Sequence, residues 1–163
     1  MSISGKLLLT LFGLAVIVGV PAAHAESVVI VVAAADSRRQ IDLGELASIY
    51  RRKVRIDNEG RLVVPVNLPA AHPIRRIFSQ ALFGRAPEDL QAYWDEQYFQ
   101  GISPPLVLDS EEAVLRFVIS TPGAIGYVSS CSVDNRVKVL ARMSVPGEAT
   151  AATADCRKKS TGE

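Results

Sequence analysis

Val28-Val29-Ile30-Val31-Val32 is an unbroken run of β-branched residues with no polar position in it. A strand with one wet face alternates apolar and polar side chains, so a run without alternation has to be covered on both faces. That requirement selects a layered α/β arrangement with helices against a sheet. The chain then offers the helices. Asp42 followed by Glu45 forms a capping box, and Leu43, Leu46, Ala47 and Tyr50 recur at helical spacing. Pro73 suits a first helical position, and Ile74, Ile77, Phe78, Ala81 and Leu82 line one face up to Gly84. Arg75, Arg76, Ser79 and Gln80 fall on the other face, where charged residues ordinarily meet water. Pro87 opens a third helix with Leu90, Tyr93, Trp94 and Tyr98 directed inward, closing near Gly101. Asp109 and Glu112 make another capping box ahead of Ala113, Val114, Phe117 and Val118.

The remaining strands are shorter. Leu62 to Val66 contains Pro65, which has no N–H for a ladder and belongs at an edge or a strand end. Pro104-Pro105 leads an extended stretch to Leu108, Pro122-Gly123 marks a turn, and Ile125 to Val128 and Val137 to Leu140 read as strands.

The N-terminus carries an address. Met1 to Lys6 is short with one positive charge, Leu7 to Val20 is an uncharged run of 14 residues, and Ala23-His24-Ala25 offers small residues on either side of His24. These are the parts of a removable signal peptide, and the run is shorter than the roughly 20 residues a membrane-spanning helix needs. Cleavage after Ala25 leaves 138 of 163 residues, a length suited to one domain over residues 26–145. Loss of Lys6 balances the charges, so no global field argues for nucleic acid. From Pro146 onward Ala, Thr, Gly, Lys and Ser predominate, a composition that builds no core and reads as a mobile tail, residues 146–163. Both cysteines survive cleavage. In an oxidising compartment Cys131 and Cys156 are candidates for a bridge, whose loop of about 25 residues is worth about 3 kcal/mol; two separate thiols are the alternative.

Leu43-Gly44-Glu45-Leu46-Ala47-Ser48-Ile49-Tyr50, Pro65-Val66, Arg76-x-Phe78, Tyr93-Trp94, Phe99-x-Gly101, Pro104-Pro105 and above all Thr121-Pro122-Gly123-Ala124-Ile125-Gly126-Tyr127-Val128 resemble the periplasmic phosphate-binding proteins of ABC transporters. The resemblance spans about Val28 to Val128 and corresponds to little more than one lobe of proteins that clamp an anion between two. It implies one lobe of a type II periplasmic-binding-protein-like fold, a mixed sheet flanked by helices. It also implies a periplasmic location, a small phosphate-like oxyanion as ligand and a membrane-protein partner; pairing of two copies would rebuild a cleft. Members of that family carry Ser-Gly-Thr at the start of the helix that meets the phosphate, whereas this chain has Ala70-Ala71-His72-Pro73-Ile74 there. Gly and Trp positions expected around Arg52 and Arg55 are also replaced.

Two readings therefore stand open: a non-catalytic binding domain holding an oxyanion weakly, or a lobe without a ligand that serves as an interaction module for a sensor, transporter or surface assembly. For the first, the anion-binding candidates are His72, Arg75 and Arg76 at a positive helix end. Arg51, Arg52, Lys53 and Arg55 form the densest basic cluster, placed to cap the end of the first helix. His72 is the one histidine after Ala25, which argues against a multi-histidine metal site. No GxSxG, HExxH or Gly-rich phosphate loop occurs, no nucleophile stands with a base, and nothing in the pattern asks for a cofactor.

Overall fold

A computed structural model describes residues 27–143. The expected signal peptide, its expected cleavage point after Ala25, the expected tail of residues 146–163 and Cys156 lie outside the described residues.

The β-branched run forms β1 (Val28–Ala33), and every residue from Val28 to Val32 is fully buried, as a strand covered on both faces must be. The chain continues through α1 (Leu43–Tyr50), β2 (Val64–Asn67), α2 (Pro73–Phe83), a 3-10 turn (Glu88–Leu90) and α3 (Gln91–Phe99). It then passes through β3 (Leu106–Val107), α4 (Glu111–Ser120), β4 (Ala124–Ser129), a second 3-10 turn (Ser130–Ser132) and β5 (Val137–Met143). The five strands form one sheet in the order β3-β2-β4-β1-β5. β2 runs parallel to β3 and β4, and β1 runs antiparallel to β4 and β5.

The register fixes what sits at each end. Val28 lies opposite Ser129 on one side and Met143 on the other, so the start of β1 and the end of β5 share an end of the sheet with the C-terminal ends of β2, β3 and β4. Open α/β sheets bind ligands at the carboxyl ends of their parallel strands.

Successive side chains on β4 point to opposite faces. On one face Gly126 lets α4 approach closely: a Cβ there would stand 2.5 Å from Val114 Cγ1 and 3.2 Å from Val118 Cγ2. On the other, Tyr127 stacks on Phe78 of α2 with centroids 3.8 Å apart and planes 5° from parallel, and Tyr50 of α1 packs on Phe78 at 4.7 Å. The Tyr50 hydroxyl reaches between strands to the carbonyls of Val66 and Ile125, at 3.1 and 3.3 Å. Pro65 sits in an interior strand, but Val64 N–H points to β4 through Gly123 O, which turns the prolyl nitrogen to the side where β3 begins only opposite Val66.

Three local expectations need correction. The cap of α4 is Ser110, whose hydroxyl accepts from Ala113 N–H, not Asp109. Glu112 is thereby freed to bind Arg136 at the start of β5 and Arg116 one turn on. Tyr98 is 71% exposed, because only the Tyr93 and Trp94 half of α3 leans on the domain. The third concerns α2, where Arg75 and Ser79 are buried at 7% and 0% exposure. The apolar stripe of that helix is widened by polar residues that the fold can accommodate, and only Arg76 and Gln80 of the expected polar face are exposed.

Candidate functional site

α2 begins at the carboxyl end of β2, after the loop Leu68 to His72. The first turn of a helix leaves N–H groups without intrahelical partners and carries the positive end of the dipole. Here that turn is largely self-satisfied. Pro73 has no N–H, Ile74 N–H donates to His72 Nδ1 at 3.2 Å, and Arg76 N–H donates to His72 O at 3.1 Å. The Arg75 N–H is the first-turn donor with no partner among the described residues.

The three sequence candidates stand in different situations. His72 is the N-cap of α2, and its Nδ1 is an acceptor committed to the helix. Arg76 is exposed and ion-paired with Glu88 at 2.6 Å, which helps hold the Glu88 carboxyl below its ordinary range, with a backbone hydrogen bond as the larger cause. Arg75 is buried over the end of β2. Its Nη1 donates to Asn67 Oδ1 and lies 3.4 Å from the Tyr127 hydroxyl, which donates to Asn67 Oδ1 at 3.3 Å and accepts from Leu68 N–H at 3.1 Å. All these hydrogen-bond partners are neutral, and among the described residues no carboxylate forms an ion pair with Arg75, whose charge acts on the Glu88 carboxyl only as the last of the causes that lower it. A buried cation normally finds a counter-charge. Asn67 and Tyr127 belong to this cluster and are not among the sequence's anion candidates; Tyr127 lies in the Thr121 to Val128 stretch that carries the resemblance, but nothing in that stretch joins it to α2 before the strands are aligned.

Burial raises the tyrosine hydroxyls: Tyr127 sits above its ordinary pKa, and Tyr50 well above it with Tyr127 adding to the effect. Both are held neutral, as hydrogen-bonding groups rather than bases.

A cavity of about 390 Å³ lies at the opposite end of the sheet and is lined by Asp36, Arg38, Asp57, Arg61 and the Thr121 to Ala124 turn. Its cations are neutralised in place: Arg38 binds Asp36 at 2.6 Å, and Arg61 binds Asp57 and Glu59 at 2.8 and 2.9 Å. It is therefore a poor anion site. Cys131 is exposed in the 3-10 turn after β4, at the α2 end of the sheet.

The basic cluster does not cap α1 with its side chains. The carbonyls at that helix end are met by backbone N–H groups of Arg51, Arg52, Lys53 and Val54, while the Arg51 guanidinium rests over the Phe83 ring, 5.0 Å from its centroid.

No family model matches the chain, and no curated protein does. Solved structures do. An ABC-type phosphate transport receptor from Vibrio cholerae aligns over 72% of this chain and 47% of its own, at 20% identity and a TM-score of 0.57. A substrate-binding protein from Clostridium perfringens, solved with bound phosphate, aligns over 72% and 45%, at 18% identity and a TM-score of 0.59. PstS from Borrelia burgdorferi aligns over 71% and 47%, at 13% identity and a TM-score of 0.55. The chain thus spans about half the length of the structures it matches. At these identities the likeness establishes the fold: an α/β lobe of the kind found in substrate-binding proteins of phosphate ABC transporters.

Proposed function

We propose that this chain is an exported, non-catalytic solute-binding lobe that holds a small phosphate-like oxyanion weakly at the start of α2. The observation that carries this reading is Arg75, a buried guanidinium with neutral partners beside a positive helix end. An anion there would supply the missing counter-charge, taking the Arg75 N–H and the outer edge of its guanidinium, with His72 and Arg76 at the rim. Weakness follows from the same geometry, since Pro73 and the His72 cap remove two donors that an anion would otherwise use. Export after Ala25, a periplasmic location and a membrane-protein partner accompany the proposal.

A Cys131 to Cys156 bridge completes it. Met143 and Ser129 lie on either side of β1, about 10 Å apart by strand spacing. The roughly 13 residues from Met143 to Cys156 span that distance easily. A thiol assay on the unfolded, unreduced protein gives no free thiol under this reading and two if it fails.

Thermal melts with millimolar phosphate, sulfate, molybdate and nitrate test the oxyanion. A ligand of the native state raises the midpoint according to its concentration over its Kd. Phosphate is expected to raise it, Arg75→Ala to abolish the rise and Arg76→Ala to reduce it. No shift with any of the four ions would leave the second reading, an interaction module without a small ligand, which the self-capped α2 end favours.

A further inference from the structure

Between α1 and β2 the chain makes a small antiparallel arm. Val63 N–H donates to Arg55 O, Ile56 pairs with Leu62, and Asp57 N–H donates to Arg61 O across the Asn58 to Gly60 turn. At its root stand Arg51, Arg52, Lys53 and Arg55, and Arg85 follows the ring on which Arg51 rests. None of these five cations is in an ion pair with a described residue. The acids of the arm, Asp57 and Glu59, are both taken by Arg61 at its turn end. Beside the cations Ile56 and Leu62 expose their side chains side by side, at 56% and 67%.

Arg52 adds two costs at one residue. Its φ is 61°, the one positive value outside glycine among the described residues, in the αL position where a helix end ordinarily takes glycine. Its Nε is also buried without a partner. A strained backbone and an orphaned donor on a charged residue mark a place where the fold alone does not explain the side chain.

We infer that residues 51–63, with Arg85, form a docking surface for an acidic protein surface that carries an apolar spot. The charge is complementary to such a partner, and arginine around a small apolar centre is the composition of protein interfaces. A lipid surface fits less well, because the most exposed aromatic side chains, Tyr98 and Phe99, lie at the far end of α3 rather than on this arm. The inference is independent of the oxyanion site, which involves none of these residues.

The test uses the full chain and two soluble probes, poly-glutamate and a 4:1 glutamate–tyrosine copolymer, with phosphatidylglycerol vesicles as the competing surface. Salt-sensitive binding to both polymers is expected, tighter for the copolymer. R52G/K53S/R55S weakens it at least about tenfold, and I56S/L62S removes the copolymer's advantage. Arg52→Gly alone weakens binding while leaving the melting midpoint unchanged or raised, an outcome that a merely structural arginine would not give. Absence of polymer binding, binding unaffected by the triple substitution, or binding to vesicles in preference to the polymers would overturn the inference.

Discussion

Replacing Tyr127 with Phe removes one oxygen and leaves the ring stack on Phe78 in place. That oxygen is the acceptor for Leu68 N–H at 3.1 Å, and the Leu68 residue is 1% exposed. Without it the N–H stays buried with no acceptor, at a cost of about 1–3 kcal/mol. Asn67 Oδ1 keeps its bond from Arg75, so the acceptor side is not orphaned. The 3.4 Å contact from Arg75 is long and adds little. About 2 kcal/mol is therefore expected. Tyr50→Phe is the matched control. Its hydroxyl donates to Val66 O and Ile125 O, and a carbonyl that loses one of two possible donors suffers less, so about 1 kcal/mol is expected. Urea unfolding separates them: the Tyr127→Phe midpoint should fall by roughly 1 M with an unchanged slope, and the Tyr50→Phe midpoint by about half as much. If Tyr127→Phe costs no more than Tyr50→Phe, the bond from Leu68 N–H to the Tyr127 hydroxyl does not support the β2–α2 loop.

Gly123→Ala should destabilise by more than about 2 kcal/mol, measurable by the same unfolding, because φ is 78° and a Cβ would fall 1.9 Å from the Leu62 carbonyl oxygen. Gly126→Val should be comparably damaging by forcing α4 off β4, seen as lost near-ultraviolet dichroism. Glu112, drawn from 4.5 to about 2 first by Arg136 and then by Arg116, favours the folded state fully above about pH 4.5 and loses that contribution as pH falls toward 2. Glu112→Gln should flatten that acid limb, modestly because the pair is partly solvated. Tyr50 and Tyr127 act in the opposite sense: the unfolded chain ionises near pH 10.0 before the folded one, so stability should decline as pH rises beyond that.

Much of this architecture is visible in local chemistry. β1, the Asp42 cap, Pro73 and Gly84 at the ends of α2 and the Pro122-Gly123 turn each rest on a residue whose backbone or burial preference admits few alternatives. Asp109 and Ser110 were less separable, since both residue types cap helices and only the fold shows which one meets Ala113. Arg75 was misplaced on a solvated face for a different reason. Helical periodicity assigns a charge to water unless a partner is known, and its partners lie outside the helix, Asn67 on the strand just before α2 and Tyr127 on β4, 52 residues further along the chain. Arg52 in the αL region was equally hidden, because an arginine gives no sign that it occupies a position suited to glycine.

The position of a bound anion decides between an oxyanion-binding lobe and one without a small ligand. Titrating the isotopically labelled protein with phosphate while recording backbone and arginine side-chain correlations tests it directly. Saturable shifts centred on His72, Ile74, Arg75 and the Arg75 Nε–H are expected, absent in Arg75→Ala. No saturable shift, or shifts confined to Arg51 through Arg55 or to the cavity at the other end of the sheet, would contradict it.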